Sequence, residues 1–131
     1  MENSWKSLLS SAISRQPEAV VDVTVSLWEK LAVELVSLIG DGGFQSVYLR
    51  SGMLAAVRYP WLVLDSSPRQ ADLQFTELRR SLEGRDLAEA GEASVVLLGT
   101  FLDILTSLIG ELLMTNILHS AWGDDVFNSN D

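Results

Sequence analysis

His119 is the only histidine in this chain of 131 residues, and there is no cysteine. One imidazole cannot build a multi-histidine metal centre, and a chain without thiols has no disulfide staple, thiolate ligand or cysteine nucleophile. His119 sits in Leu118-His119-Ser120-Ala121-Trp122, late in a helix-period stretch, where an imidazole complements the partial negative charge of a helix C-terminus. Phosphotransfer from a helical bundle would need a basic neighbour to steady the phosphate, and no Lys or Arg follows Arg85. A structural histidine is expected.

Carboxylates are the other groups that could do chemistry. Glu89 and Glu92 stand three apart at a helix start, but a carboxylate-bridged di-metal site in a bundle needs Glu-x-x-His twice, and that pattern is absent. They read as acids complementing the helix dipole. Asp103 is the single charge between Ala93 and Gly110, and an unpaired charge in a covered helix is costly or becomes protonated. Two readings stand: Asp103 pairs with an arginine from residues 50 to 85 or with a local hydroxyl, or it is a buried polar anchor lining a ligand pocket or a dimer axis. Asp41-Gly42-Gly43 could offer backbone donors to an anion, but neither the Gly-x-x-x-x-Gly-Lys-Ser/Thr nor the Gly-x-Gly-x-x-Gly pattern is present, so it reads as a turn. No Gly-x-Ser-x-Gly elbow occurs either. The chain is expected to be no enzyme, to use no cofactor and to hold no metal.

The elements that must position these groups are helices. Ser4 can cap a first helix carrying Trp5, Leu8, Leu9 and Ile13 and ending near Arg15. Pro17 suits the first turn of a second, in which Trp28, Leu31, Leu35 and Leu38 keep a helical stripe up to Gly40. Between Val21 and Leu27 apolar and polar residues alternate, the period of a strand, but the stripe beyond is helical and no turn signal intervenes, so helix is preferred. Asp41 can cap a third helix with Phe44, Val47, Tyr48, Leu54 and Ala55, which must stop before Pro60. Tyr59-Pro60-Trp61 marks a bend, Asp65-Ser66-Ser67-Pro68 a loop, and Ala71, Phe75, Leu78 and Leu82 one side of a fourth helix ending at Gly84. Asp86 and Glu89 have capping-box spacing.

From Leu87 to Trp122 the pattern is apolar nearly all round and interrupted at Gly110. A membrane span needs about 20 apolar residues and a flank that orients it, whereas this stretch contains Ser94, Thr100, Thr106 and Ser107 and no basic flank. A central helix, covered by neighbours or buried in a homodimer seam, is the stronger reading. Its narrow polar stripe, Gly99, Thr100, Asp103, Thr106, Ser107 and Gly110, is small enough to let another helix approach. Residues 123 to 131 form an acidic tail expected to fray.

The chain also says nearly the same thing twice. Leu35-Val36-Ser37-Leu38-Ile39-Gly40-Asp41 returns as Leu105-Thr106-Ser107-Leu108-Ile109-Gly110-Glu111, within a similarity running from Leu27 to Ser51 and from Leu97 to Ala121. A long helix, a glycine stop, an acid and a second helix make an αα unit that a duplication would repeat; two leucine-rich helices can also resemble each other by chance.

The net charge of −9 is uneven: residues 1 to 49 carry −3, residues 50 to 85 carry +2 and residues 86 to 131 carry −8. Such a chain is repelled by phosphate backbones, which speaks against nucleic-acid binding. Arg50, Arg58, Arg69, Arg79, Arg80 and Arg85 are expected to face the acidic C-terminal third across the fold; the alternative is an acidic end that recruits a basic partner. The N-terminus lacks a basic segment followed by an apolar run, so no secretory signal is expected and the compartment is taken as cytoplasmic, away from the membrane.

Four tryptophans are many for this length, and Trp, Tyr and Arg dominate binding hot spots. Trp28 fits a core stripe. Arg58, Tyr59 and Trp61 at the bend, and Trp122 before the acidic tail, are the candidate partner interface. The expected fold is all-α: a single-domain, compact bundle of five to six helices, which a duplication would arrange as two pseudo-symmetric αα units. The expected function is that of a non-catalytic regulatory or adaptor module acting through contact with a protein partner, with homodimerisation through residues 87 to 122. Its rival is a helical sensor taking an apolar small molecule between the helix pairs near Asp103.

Overall fold

A computed structural model describes Ser11, Ile13, residues 17–62 and residues 75–123. Among these, a short 3-10 turn at Pro17–Ala19 leads into α1 (Val20–Ala55), followed by α2 (Thr76–Glu83), α3 (Leu87–Ile109) and α4 (Glu111–Trp122), with no strand. The described residues thus hold four helices, the first of them broken at Gly40. The expected first helix lies almost wholly outside them, with Ser11 and Ile13 helical; so do the loop at 65–68, Ala71 and the tail beyond Gly123. The helix expected from Ala71 starts at Thr76.

The alternating stretch at 21–27 is helical. Val20, Thr24, Leu27 and Leu31 are buried at spacings of four, three and four, while Val21 and Val23 are only half-buried. Burial therefore follows the helical period, and the alternation is incidental.

α1 is two arms joined at Gly40, whose φ of 83° and ψ of 166° are not helical. Gly110, between α3 and α4, has φ 94° and ψ 155°. This corner of backbone space is closed to residues with a Cβ, so glycine is required at both breaks. The acids that follow do not cap. The helix resumes at Asp41 in the second arm of α1, and α4 begins at Glu111 with no side-chain cap on it. Glu111 instead stands in the first turn, where its charge complements the dipole. Asp86 does cap α3, accepting from the Glu89 amide at 2.8 Å, but the Glu89 carboxylate is turned to Trp61 rather than back to the cap.

Ring contacts fix how the arms run. Trp28, fully buried, lies 5.1 Å from Tyr48 and 4.9 Å from Phe101, centroid to centroid. Eight residues earlier, Val20 shares one groove with Tyr59, Gly91 and Val95. Moving from 20 to 28 in the first arm therefore corresponds to moving from the low nineties to 101 in α3, so the two run the same way, while the second arm returns from 48 to 59 against them. Both glycine breaks consequently lie at one end of the bundle, and the Tyr59 turn lies at the other. Phe44 and Phe75 complete the aromatic centre around Trp28, each within 6.4 Å of it. Edge-on and tilted ring pairs of this kind contribute about 0.5–1.5 kcal/mol each beyond their buried area.

α3 is long and apolar enough to cross a membrane by length and composition, with a mean hydropathy of 1.7. In this fold it packs mainly against α1 and also against α4, burying Ala90, Ala93, Leu97, Leu98, Phe101, Leu102 and Leu105. It is not covered on every side, however, because Asp103, Ser107 and Leu108 face solvent.

Shifted by seventy residues, the two halves place many of the same positions inside and outside, with exceptions such as exposed Glu29 against buried Gly99. Leu27 and Leu97, Trp28 and Leu98, Leu31 and Phe101, Leu35 and Leu105, Phe44 and Met114, Tyr48 and Leu118 are all buried. Leu38 and Leu108, Gly40 and Gly110, Asp41 and Glu111 are all exposed.

Candidate functional site

The residues that could contact a partner gather at the end of the bundle opposite the glycine breaks. α1 ends because the chain is heading for Pro60, whose ring disfavours a helical residue before it. The Tyr59 amide still reaches the Ala55 carbonyl at 3.0 Å, and the Leu62 amide closes a turn on the Tyr59 carbonyl at 2.9 Å. This turn folds Tyr59 inward to 6% exposure and leaves Arg58 in solvent and Trp61 half-buried.

Two carboxylates on the first turns of α3 hold the turn in place. The Trp61 indole Nε1 donates to Glu89 Oε2 at 3.1 Å, and the Tyr59 hydroxyl reaches Glu92 Oε1 at 3.5 Å. The Arg85 guanidinium lies over the Trp61 ring at 4.9 Å and 4.0 Å from Glu89 Oε1. Arg58 lies 5.6 Å from the Tyr59 ring centre. A hydrogen bond to a charged acceptor is worth about 1.5–3 kcal/mol when buried, and a cation over an aromatic face about 0.5–1 kcal/mol at an exposed site. Here the bonds are part-buried and that of Tyr59 is long, so the Trp61–Glu89 bond is the strongest of these contacts tying the turn to α3.

Between this turn, the start of α1 and the first turns of α3 lies a groove of about 670 Å³. Its described walls are mostly apolar, Ile13, Val20, Leu87, Gly91, Val95 and Val96, with Tyr59 at the side and Arg58 and Glu92 as the only charged lining residues among them. Leu87, Gly91 and Val95 recur every four residues, as do Ala88, Glu92 and Val96, so α3 presents two adjacent ridges to whatever enters. That volume falls within the range of about 300–1,000 Å³ common for ligand sites.

Of the candidate interface, the fold brings Arg58, Tyr59 and Trp61 together and places Trp122 elsewhere. Trp122 is fully buried, its indole donating to the Leu27 carbonyl at 2.8 Å. It ties the end of α4 to the first arm and offers no surface to a partner, because a large ring with one polar tip is well used in a core that supplies an acceptor. Asp103 is exposed rather than a buried anchor. It lies on the face of α3 turned away from Leu102 and Leu105, and the small-residue stripe around it divides into buried Gly99, half-buried Thr100 and Thr106, and exposed Ser107 and Gly110. A ligand pocket centred on Asp103 is not what this geometry provides. Glu89 and Glu92 were legible only as dipole acids; nothing in their spacing announces Trp61 and Tyr59 as partners, 28 and 33 residues away along the chain.

The arginines do not face the acidic C-terminal third as a group. Arg79 pairs with Asp22 at 2.8 Å and with Glu83 at 3.7 Å, and Arg80 with Glu77 at 2.9 Å. Among these ion pairs only that of Arg85 reaches an acid of residues 86 to 131, Glu89, because α2 packs on α1 and lies beside its acids. The hydrogen bond to Asp22 raises the Arg79 pKa above the ordinary arginine value, against the opposing effect of burial. Arg69 lies outside the described residues. His119 is exposed in the last turn of α4. No group of three or more His, Asp or Glu among the described residues is placed to hold a metal ion.

Comparison with protein-family models, curated proteins and solved structures returned no match.

Proposed function

We propose that this chain is a non-catalytic, cytoplasmic regulatory or adaptor module that works through protein contact and self-association, and that the groove beside Tyr59 receives an apolar helix of a partner protein. The observation that carries this reading is the groove itself. It is walled by apolar residues at helical spacing, with Arg58 on its rim and Glu92 among its lining, which suits a helix whose apolar face enters and whose polar edge meets two opposite charges. The aromatic turn that builds its wall is held by hydrogen bonds and cation contacts, so the surface is preformed. Two αα units, each broken at its glycine and related by approximate two-fold symmetry, would explain why many inside and outside positions match at an interval of seventy. A net charge of −9 disfavours nucleic acid and anionic membrane surfaces as partners.

Filling the groove tests the proposal. Ala88 is exposed and lines the groove, so Ala88→Trp adds bulk there without touching the core. Proteins retrieved from cells by the tagged wild type should be lost with Ala88→Trp while the melting temperature stays the same. Equal recovery of the same proteins by both would contradict the groove as the contact site.

The volume of the groove also favours a second reading, an apolar small molecule as occupant in place of a helix. Native mass spectrometry of protein purified from cells separates the two, since a stoichiometric adduct absent from Ala88→Trp belongs to the small-molecule reading.

A further inference from the structure

Two exposed apolar patches lie at opposite ends of the bundle and carry opposite charge. Near the end of α1, Met53 is 73% exposed and Val57 79%, with Leu54 beside them at 48%. Arg50 and Arg58 flank this stripe at helical spacing, and both are exposed. Among the described residues they are the cations left without an ion pair: Arg79, Arg80 and Arg85 each have a carboxylate, and Lys30 has an interaction of its own. At the other end, where the glycine breaks lie, Leu108 is 68% exposed and Leu112 79%. Glu111 stands between them, exposed and in no ion pair among the described residues.

Such patches are costly to leave in water, at roughly 25 cal/mol per Å² of apolar surface. From Gly40 to Met53 the second arm climbs thirteen residues, about 20 Å at 1.5 Å per residue, so one molecule cannot cover one of its patches with the other. We infer that a second copy of this chain is the occupant: the Leu108–Leu112 corner of one molecule, with Glu111, seats on the Met53–Val57 stripe of the next, between Arg50 and Arg58. The charges are complementary across this contact and like-signed across either patch paired with itself, which selects head-to-tail over two-fold association. A head-to-tail contact leaves one patch of each kind open, so assembly extends or closes into a ring. The inference rests on the reading of this protein as one that acts by protein contact, but apart from Arg58 on the groove rim it uses residues outside the groove.

Complementary blocked variants provide the test. Met53→Asp spoils the stripe and leaves the corner intact; Leu112→Asp spoils the corner and leaves the stripe intact. Both side chains are exposed, so circular dichroism and melting temperature should match the wild type. In sedimentation equilibrium at low salt the wild type should grow beyond a dimer with concentration, and added salt should weaken it, because exposed charges are screened. Each variant alone should associate at least about tenfold more weakly, the equivalent of about one lost apolar anchor. Mixed, the two variants should form a one-to-one dimer that grows no further. A wild type that stays monomeric, a growth that stops at dimer, or a mixture that stays monomeric overturns the inference. Ala88→Trp distinguishes this from failure of the groove: it should self-associate like the wild type, and loss of self-association in it would put the second copy in the groove and contradict the contact described here.

Discussion

Residues 20–55 and 90–122 are built alike and filled differently. In each, one helix runs to a glycine in a backbone conformation reserved for glycine, a second helix returns, and many of the positions facing inward coincide. The first unit fills its inward positions with Trp28, Phe44 and Tyr48, the second with Leu98, Met114 and Leu118. The rings of the first unit meet Phe101 of the second at the centre, so large aromatics on one side are met largely by aliphatic side chains on the other. Volume is shared across the core, and neither unit could be swapped for the other without a cavity or a clash. What the pair has in common is the break and the inside-outside pattern; what differs is the packing chemistry.

Truncation at the centre should separate the two units most. Trp28→Ala is expected to cost about 3–5 kcal/mol and Leu98→Ala about 2–5 kcal/mol, with the larger loss on the aromatic side, read from urea unfolding. Comparable losses would mean that the ring cluster has no special weight. The breaks should behave alike. Gly40→Ala and Gly110→Ala are each expected to cost about 1–3 kcal/mol, and nothing lies within 4 Å of the added methyl group at either position, so the cost is one of backbone conformation. A glycine-to-alanine change that is neutral at one break and costly at the other would end the equivalence of the two units.

Smaller effects sharpen the contrast. Gly42 stands in the helical second arm with open space around its Cα, so Gly42→Ala should stabilise by about 0.5–1 kcal/mol, opposite in sign to Gly40→Ala two residues away. Ser94 donates its hydroxyl to the Ala90 carbonyl at 2.7 Å, whereas the buried hydroxyl of Thr24, its counterpart, has no protein partner. Thr24→Val should therefore be neutral or stabilising by up to about 1 kcal/mol, and Ser94→Ala destabilising by a similar amount. The smallest effect is at the surface. Arg79→Ala removes a pair whose side chains are 40% and 74% exposed and should cost less than about 1 kcal/mol in thermal unfolding. Because the Arg79 pKa is raised, its contribution is present below the ordinary arginine range and is lost only as pH rises through the higher folded value, so this guanidinium adds no pH dependence near neutrality.

The helices were legible because burial imposes its period on the sequence. Leu31, Leu35, Leu78 and Leu82 could be placed inward from spacing alone, and so could the stops at Gly40, Gly84 and Gly110. Trp122 and Asp103 could not be placed, because a residue's exposure depends on which helix crosses it. Trp122 looked like a tip beside a polar tail, yet the Leu27 carbonyl ninety-five residues earlier accepts its indole hydrogen bond. Asp103 looked enclosed by apolar neighbours along the chain, yet the face of α3 that carries it is the one no described helix covers. The bend at Arg58, Tyr59 and Trp61 was legible as a contact region from its aromatics and its proline; the groove was not, since its walls come from three segments that no single spacing links.

The groove end is proposed to be occupied in the cell. The chain has no cysteine, so a single introduced thiol reports its own site. Ala88→Cys places one at the groove and Ser46→Cys one on the exposed face of the second arm. Alkylation rates measured in intact cells and on the purified protein should agree for Ser46→Cys and differ for Ala88→Cys, with the groove thiol protected only in cells. An Ala88→Cys thiol that reacts equally fast in both settings would contradict the groove as the place where this protein meets its partner.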